Sequence, residues 1–359
     1  MRQFKFFVLI TTLLWMTACH TQIETGGLKI IAVDIDENTP VKLSDISGEI
    51  KKIRLELTDN SIIGMLQKVI YQDDLMIVWD SHSDTKVLVF DSQGKFIRRI
   101  SSKGQGPGEF EYISDIAYDS NEKKIYIATT RKILCFAIDG TFLNDYSVMF
   151  SEYLFFHDDC LNFFSIEHGK KVENGFENQT MLYRMDKNFN LVDSLIVKSV
   201  TLPRLSGSIA PRNDFVSQIG KQTFVYYPVL TPEPIVRDTL YELKDNQLIP
   251  FLKLRFSNEG EVSSRNNRTK NLFRIWRSER FVFAQYDMRG GRYVFMHDLT
   301  TGRSANMKDG LVDDVHNTGI ADIIPLHDNY FYYFCTAEIS PETNNEEPNP
   351  DVYIGAFVE

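Results

Sequence analysis

The stretch FDSQGKF, residues 90–96, decides the fold because it returns as FAIDGTF at residues 136–142. The two glycines, Gly94 and Gly140, are 46 residues apart, and each stands in a short turn between two apolar runs. Such turn residues supply the left-handed backbone, or the side-chain hydrogen bond to the backbone, that a β-hairpin needs. Looser copies of the unit begin at Tyr183, Tyr241 and Val294. The repeat therefore predicts five similar hairpins along the chain.

A second set of six hairpins lies between these five, and its strands are apolar at nearly every position. They are Val69–Tyr71 with Leu75–Trp79, Ile113–Tyr118 with Lys124–Ala128, Tyr153–Phe156 with Leu161–Ile166, Phe215–Ile219 with Thr223–Tyr227, Leu272–Trp276 with Arg280–Gln285, and Ile323–Leu326 with Tyr330–Cys335. Continuously apolar strands are typical of sheets that are covered on both faces.

The alternation of the two hairpin types predicts an all-β fold, a six-bladed β-propeller of four-stranded antiparallel blades. Four strands in every 46 to 57 residues or so is the period of a propeller blade. The last blade lacks outer strands of its own, so we expect the ring to be closed by N- and C-terminal strands, Ile50–Leu55 and Asp351–Val358. Seven blades is the main alternative.

The composition fits a large folded domain with an acidic surface. The chain has 359 residues, of which 43% are hydrophobic and 13% aromatic, so a disordered or fibrous chain is excluded. The formal net charge is −10, which argues against nucleic acid as a partner. Cys135, Cys160 and Cys335 stand in apolar contexts and are interpreted as small core residues, although a disulfide between two of them stays open.

The N-terminus has the layout of a bacterial export signal. Arg2 and Lys5 precede an apolar run that ends at Met16, and Thr17-Ala18-Cys19 follows. This pattern resembles a lipobox, so we expect a signal peptide at 1–18, lipidation at Cys19, a tether with a first strand at 19–45, and the propeller at 46–359. The predicted location is the cell envelope, as an outer-membrane lipoprotein facing either side. An ordinary signal peptide with a chance cysteine is the alternative.

Three adjacent motifs carry a resemblance to a known family. They are GKFIRRI at residues 94–100, KGQGPGEF at 103–110 and ISDIAYD at 113–119. Together they resemble the six-bladed β-propeller lipoproteins of Bacteroidetes, a family similar to the NHL-repeat propellers. The resemblance is specific over residues 50–145 and implies a fold and export more than a chemistry.

The glycine-rich loop KGQGPGEF is one candidate binding site. Loops of this kind can cradle anions with backbone N–H groups, but the spacing of Gly104, Gly106 and Gly108 matches neither the dinucleotide fingerprint nor the P-loop. A crossover between two blades is the preferred interpretation. Lys103, Gln105 and Glu109 are the side chains that we expect at a rim.

A basic and aromatic cluster is the other candidate ligand site. Arg274, Trp276 and Arg277 could present guanidinium groups and a ring to a carboxylate or a sugar acid, with Arg212 and Arg268 joining from nearby loops. An exposed hairpin whose charges keep a strand edge soluble is the preferred interpretation.

A metal site is considered at two acidic runs that contain histidine, residues 157–159 and 313–316. Adjacent residues of a strand point to opposite faces, so solvated turns are the preferred interpretation. No cofactor is predicted, and the binding of a divalent cation such as calcium remains an open alternative.

The sequence favours a lipid-anchored binding or scaffold module over an enzyme. Its partners would be the membrane, through the anchor, and a small ligand, glycan, peptide or envelope protein. The alternative is an NHL-like metal-assisted lyase or hydrolase with its site on the propeller axis. Three or four converging His, Asp, Glu or Asn side chains would favour the enzyme, and an aromatic, arginine-lined channel would favour binding. A structural role in an outer-membrane uptake complex is a third hypothesis.

Overall fold

The computed structural model describes residues 28–82, 84–148, 150–207, 215–228, 237–257, 270–288, 290–336 and 348–359. The chain enters through three short elements before the first blade. They are β1 (Lys29–Val33), α1 (Leu43–Ile46) and β2 (Ser47–Arg54).

The first three blades each have four antiparallel strands in chain order. They are β3 (Leu66–Gln72), β4 (Leu75–Asp80), β5 (Lys86–Asp91) and β6 (Phe96–Ile100) in blade one, β7 (Asp115–Asp119), β8 (Lys124–Ala128), β9 (Lys132–Ala137) and β10 (Phe142–Ser147) in blade two, and β11 (Ser151–His157), β12 (Cys160–Val172), β13 (Gly175–Met185) and β14 (Leu191–Leu202) in blade three.

The remaining blades follow the same order. They are β15 (Val216–Ile219), β16 (Gln222–Val225), β17 (Thr239–Lys244) and β18 (Gln247–Phe256) in blade four, β19 (Lys270–Arg277), β20 (Phe281–Met288), β21 (Gly291–Asp298) and β22 (Ser304–Lys308) in blade five, a small hairpin of β23 (Leu311–Asp313) and β24 (Gly319–Ala321), and β25 (Ile324–Pro325), β26 (Tyr330–Cys335) and β27 (Asp351–Phe357) in blade six. The predicted six-bladed propeller is confirmed.

Turn chemistry explains why these hairpins form. Four of them turn on two consecutive residues with positive φ, which is the geometry that suits the twist of a hairpin. Asp and Asn tolerate this backbone better than other side chains do, and they occupy all eight positions, at 73–74, 158–159, 245–246 and 328–329. In the turn that opens the repeat, Gly94 has φ +86°, and Asp91 accepts hydrogen bonds from two backbone N–H groups.

Strand β2 closes the ring by pairing with β27, as the sequence predicts. Two cations of β2 hold the carboxylate of Asp351, which is 3% exposed: Lys52 at 2.8 Å and Arg54 at 3.2 Å. Asn349 adds a buried link, because its side chain bonds to the backbone of Ile63, Glu56 and Ser61. The two ends of the chain are therefore joined by charge as well as by a strand ladder.

The N-terminal segment 29–54 runs along three blades, and we call it the belt. It starts as β1, which pairs in parallel with the outer strand β18 of blade four. It then crosses blade five, where the Thr39 N–H donates to the Asn306 carbonyl at 2.8 Å and the Asn306 side chain donates to the Glu37 carbonyl at 3.1 Å. It ends as β2 on blade six, so the belt ties three successive blades together from outside.

Aromatic side chains fill the spaces between blades. Between blades five and six, Phe283 and Phe331 both contact Phe357, with ring centroids 5.6 and 4.6 Å apart. Cys135 is buried, whereas Cys160 and Cys335 are half-buried, and all three thiols are free. None of the helices in the described part of the chain is long and apolar enough to cross a bilayer.

Candidate functional site

First strands of several blades line a central cavity, and an ion pair beside it joins two neighbouring blades. The Lys68 ammonium on β3 is 2.9 Å from both oxygens of Asp115 on β7 and 2.9 Å from the Ile116 carbonyl. It also lies 4.4 Å from the centre of the Tyr153 ring on β11. Asp115 is fully buried and accepts a further bond from the Leu154 N–H at 2.7 Å. These bonds use all three N–H donors of Lys68.

The cavity beside this ion pair has a volume of about 100 Å³, which suits a few water molecules better than an organic ligand. Phe155, Phe156 and Tyr118 contribute much of its wall, and Gln218 and His327 contribute polar atoms. The His327 side chain is exposed to solvent. The protein packed around it still desolvates the ring and lowers the pKa of His327, and the Lys68 charge adds to the effect.

A larger cleft lies on the rim, between the glycine-rich loop and the outer strands of blade two. Its volume is about 670 Å³, within the usual range for ligand pockets. Residues 104–112 form one wall, and residues 129–132 and 142–145 form the other. We call this the rim cleft.

A β-bulge shapes the second wall of the rim cleft. Phe142 pairs with Phe136 and Asn144 with Cys135, so Leu143 is an extra residue that the ladder leaves out. Bulges of this kind redirect side chains, and Leu143 is 47% exposed. Tyr112 on the opposite wall is 53% exposed. Two large side chains therefore face solvent on either side of the cleft.

A model of the family described as "Domain of unknown function (DUF4934)" matches residues 28–353. The chain belongs to this family. No curated protein matches the sequence. Among solved structures, this DUF4934 protein is similar to a candidate exported protein from Bacteroides fragilis, with 17% identity, a TM-score of 0.68, and coverage of 92% of this chain and 100% of the other. At that identity the likeness shows the fold alone.

Two further solved structures match at lower similarity. The AfRom2 CNH domain has 7% identity and a TM-score of 0.43, with 86% of this chain and 100% of the other covered. The β-propeller domain of the Trilobed protease from Pyrococcus furiosus has 12% identity and a TM-score of 0.44, with 83% and 90% covered. A relation of this DUF4934 protein to NHL-repeat propellers is not confirmed, and its lipidation stays a prediction.

The glycine-rich loop of this DUF4934 protein closes on itself. Glu109 turns inward, and its carboxylate accepts the Gly106 N–H at 2.8 Å. A Cβ at Gly104 would lie 2.0 Å from the same carboxylate, so a side chain there would displace the end of Glu109. Gly108 has φ +76° and packs against the Phe142 ring. The glycines thus serve the blade crossover that the sequence favours.

The polar side chains predicted in this loop are placed as follows. Gln105 donates to the Glu111 carboxylate at 2.7 Å, and both residues line the rim cleft with Glu109. Lys103 is exposed at the start of the loop, where it forms a parallel bridge to Phe110. Of the predicted rim residues, the structure brings Gln105 and Glu109 to the cleft wall.

The basic and aromatic cluster is part of the innermost strand of blade five, not of an exposed hairpin. Trp276 is 2% exposed and stacks on Phe283 at 4.2 Å. Arg274 is 4% exposed and pairs with Asp322 of the next blade. A charged side chain is tolerated in this strand when it contacts a group of a neighbouring blade.

The third member of the cluster, Arg277, contacts the rings of Phe224 at 4.7 Å and Phe251 at 4.9 Å. Burial lowers the pKa of its guanidinium, and Glu242 acts against that shift. These contacts give the three side chains a packing role between blades. The predicted partners Arg212 and Arg268 lie outside the described residues, as does Cys19.

The two acidic runs are hairpin turns. The His157 ring lies 3.0 Å from the Thr223 hydroxyl and 3.3 Å from Asp158, and burial lowers its pKa. Asp313 accepts bonds from the hydroxyls of Thr318 and Tyr333 and from backbone N–H groups of its own turn. Across the described ranges, no three His, Cys, Asp or Glu residues are grouped as metal ligands would be.

Sequence reasoning missed both the axial ion pair and the second wall of the rim cleft. Lys68 and Asp115 belong to different blades. Lys68 stands in no motif, and Asp115 lies in ISDIAYD, which indicates a family resemblance and not an ion pair. The bulge at Leu143 has a weak signal, since an apolar side chain there interrupts the polar outer strand.

Proposed function

We propose that this protein is an exported, lipid-anchored binding or scaffold module of the cell envelope, with its ligand in the rim cleft and not on the propeller axis. The observation that carries the proposal is the difference between the two cavities. The rim cleft has about 670 Å³ of open volume, whereas the axial cavity has about 100 Å³ beside a saturated ion pair.

The pairing of polar groups on the axis supports binding over catalysis there. An axial enzyme site needs several polar side chains that converge on a substrate or metal. Lys68 and Asp115 already bond to each other, and Glu152 accepts a bond from the Tyr227 hydroxyl. Much of the remaining lining is aromatic and aliphatic. This is the pattern that favours a binding module.

The envelope location is supported by the sequence of the leader. A basic start, an apolar run and Cys19 form a lipobox-like pattern. The similar propeller from Bacteroides fragilis is described as a candidate exported protein, which agrees with this location. Tethering at Cys19 would place the module at the outer membrane, on either face.

The test of the binding function uses the full chain in lauryldimethylamine oxide micelles. Thermal shifts are measured with neutral oligosaccharides, acidic oligosaccharides and a library of short peptides, each with and without EDTA. We expect at least one class to raise the melting temperature, and Leu143→Arg to abolish that shift. Turnover of a probe, or binding that Leu143→Arg leaves intact, would overturn the proposal.

The anchor has a separate test. The N-terminal peptide of the native protein is analysed by mass spectrometry, and we expect an acylated Cys19. We also expect Cys19→Ser to release the protein from the membrane fraction. An unmodified N-terminus, or cleavage at another residue, would contradict lipidation while leaving the binding function standing.

A further inference from the structure

The rim cleft has nearly balanced charge. It is lined by two cations, Arg131 and Lys132, and three carboxylates, Glu109, Glu111 and Asp145. Lys132 and Asp145 pair with each other at 2.5 Å, so the remainder is one guanidinium and two carboxylates. A strongly anionic ligand would be repelled by the carboxylates, and a strongly cationic one would meet the guanidinium. The charge balance therefore favours a neutral, polar ligand.

Several hydrogen-bond donors of the cleft are unused within the described part of the chain. The Arg131 guanidinium, the Thr130 hydroxyl and the Tyr112 hydroxyl bond to no other described residue. By contrast, the Thr129 hydroxyl bonds to the backbone of Lys132. A ligand in the cleft can therefore accept hydrogen bonds from these donors without breaking a hydrogen bond within the described part of the protein.

The cleft also keeps acceptors. A carboxylate has about four lone-pair sites. Glu109 uses one for the Gly106 N–H, and Glu111 uses one for the Gln105 amide, at 2.8 and 2.7 Å. Both side chains can accept further bonds from a ligand. A ligand with hydroxyl groups, which donate and accept at once, matches this mixture better than one with a single kind of group.

The rim cleft offers apolar surface in addition to its hydrogen-bond donors and acceptors. Tyr112 and Leu143 are 53% and 47% exposed, and both line the cleft. A pyranose ring presents hydroxyls at its edge and C–H groups on its faces, so it can stack on a tyrosine while its edge bonds to polar side chains. The geometry points to a binding site for a neutral oligosaccharide in the rim cleft, with Tyr112 as the stacking platform and Arg131 as a hydroxyl donor. This inference rests on the proposed binding function.

The experiment is isothermal titration calorimetry on the full chain in lauryldimethylamine oxide, a detergent without a sugar headgroup. The probes are the neutral hexaoses of maltose, cellulose, laminarin, xylan and mannan linkage, with hexagalacturonate as the acidic comparison. We expect at least one neutral hexaose to bind. Tyr112→Ala should weaken it roughly tenfold, as the loss of one aromatic contact would. Tyr112→Phe should keep most of the affinity, and Arg131→Ala should weaken it.

Two matched controls lie outside the cleft. Tyr330→Ala removes a tyrosine of similar exposure, 48%, from blade six, and Arg303→Ala removes an exposed arginine from the turn of blade five. Neither should change affinity. The carbohydrate inference is overturned if no neutral hexaose binds, if only hexagalacturonate binds, or if Tyr112→Ala has no effect. Peptides that bind and are lost with Tyr112→Ala would overturn it too, while leaving the binding module intact. A failure of every probe would remove both proposals.

Discussion

The Nζ atom of Lys68 in blade one lies 2.9 Å from each carboxylate oxygen of Asp115 in blade two. Asp115 has no exposed side-chain surface, and Lys68 is 18% exposed, so the carboxylate is shielded from water while the lysine borders the central cavity. It joins two blades where their innermost strands meet.

Removing one partner of this pair should destabilise the propeller strongly. Asp115→Ala leaves the Lys68 ammonium buried without its counter-ion, which costs roughly 3 kcal/mol of unfolding free energy. The double substitution Lys68→Met with Asp115→Leu should recover much of the loss, because it removes both charges. Urea unfolding of the three proteins measures this. A double variant no better than the single one would argue against a charge effect.

The exposed pair of Lys123 and Asp73 serves as the control. These side chains are 52% and 33% exposed and 2.6 Å apart. Water and salt screen such pairs, so Lys123→Ala should change the unfolding free energy by less than about 1 kcal/mol.

Gly104→Ala should strain the glycine-rich loop through Glu109. The new methyl group would lie 2.0 Å from the Glu109 carboxylate, which must then leave its bond to the Gly106 N–H. Because this carboxylate is the exposed end of a flexible side chain, we expect a loss of less than about 1 kcal/mol. In a Glu109→Ala background the same substitution should cost little, so a thermal double-mutant cycle isolates the clash. Gly48→Ala is the matched control, because a methyl group at that position would have no other atom within 4 Å.

Asn349→Ala should weaken ring closure. Asn349 is 1% exposed and makes three hydrogen bonds of 2.8 to 2.9 Å with the segment between β2 and β3. Its removal leaves buried backbone groups unpaired, at a cost of roughly 3 kcal/mol. Chemical denaturation gives the size of the effect. Asn60→Ala, an exposed asparagine of the same segment, should be neutral, and equal effects of the two would refute the role in closure.

Acid should destabilise the protein through His157. Burial lowers the pKa of this ring, which is 9% exposed, below the unfolded value of 6.5. The unfolded chain therefore binds more protons in this window. The stabilisation is present above pH 6.5 and is lost as the pH falls through the folded-state pKa.

Melting temperatures at about pH 7.5 and pH 5.5 test this linkage. We expect the wild type to lose more stability on acidification than His157→Gln, whose side chain cannot be protonated. His168→Gln, at an exposed histidine, should behave as the wild type. An identical pH response in His157→Gln would show that this ring does not contribute.

Most of the fold could be predicted because its signals are local. Most hairpin turns carry Asp, Asn or Gly at positions of positive φ, and apolar runs flank them. For the belt, only part of the structure could be predicted from the sequence. The apolar run of β1 predicts a strand, but its parallel partner β18 is more than 200 residues away, and no local pattern indicates that pairing.

The candidate site was harder to predict because it depends on contacts between blades. Arginines near a tryptophan suggest a surface, yet Arg274 is buried against Asp322, 48 residues further along the chain. The glycine-rich loop was placed correctly as a crossover, while the wall opposite it comes from a bulge in another hairpin. Side chains from separate repeats meet only where neighbouring segments pack together.

The belt also determines how mechanical load would enter the molecule. Tension on the chain before Lys29, such as an anchor at Cys19 would apply, first reaches the five-residue parallel ladder between β1 and β18. Only if that ladder separates does the pull pass along the blade-five contacts of Glu37 and Thr39 to the closing strand β2. Blade four would therefore take up tension from such an anchor first, before the pull reaches the joint between β2 and β27 that closes the ring.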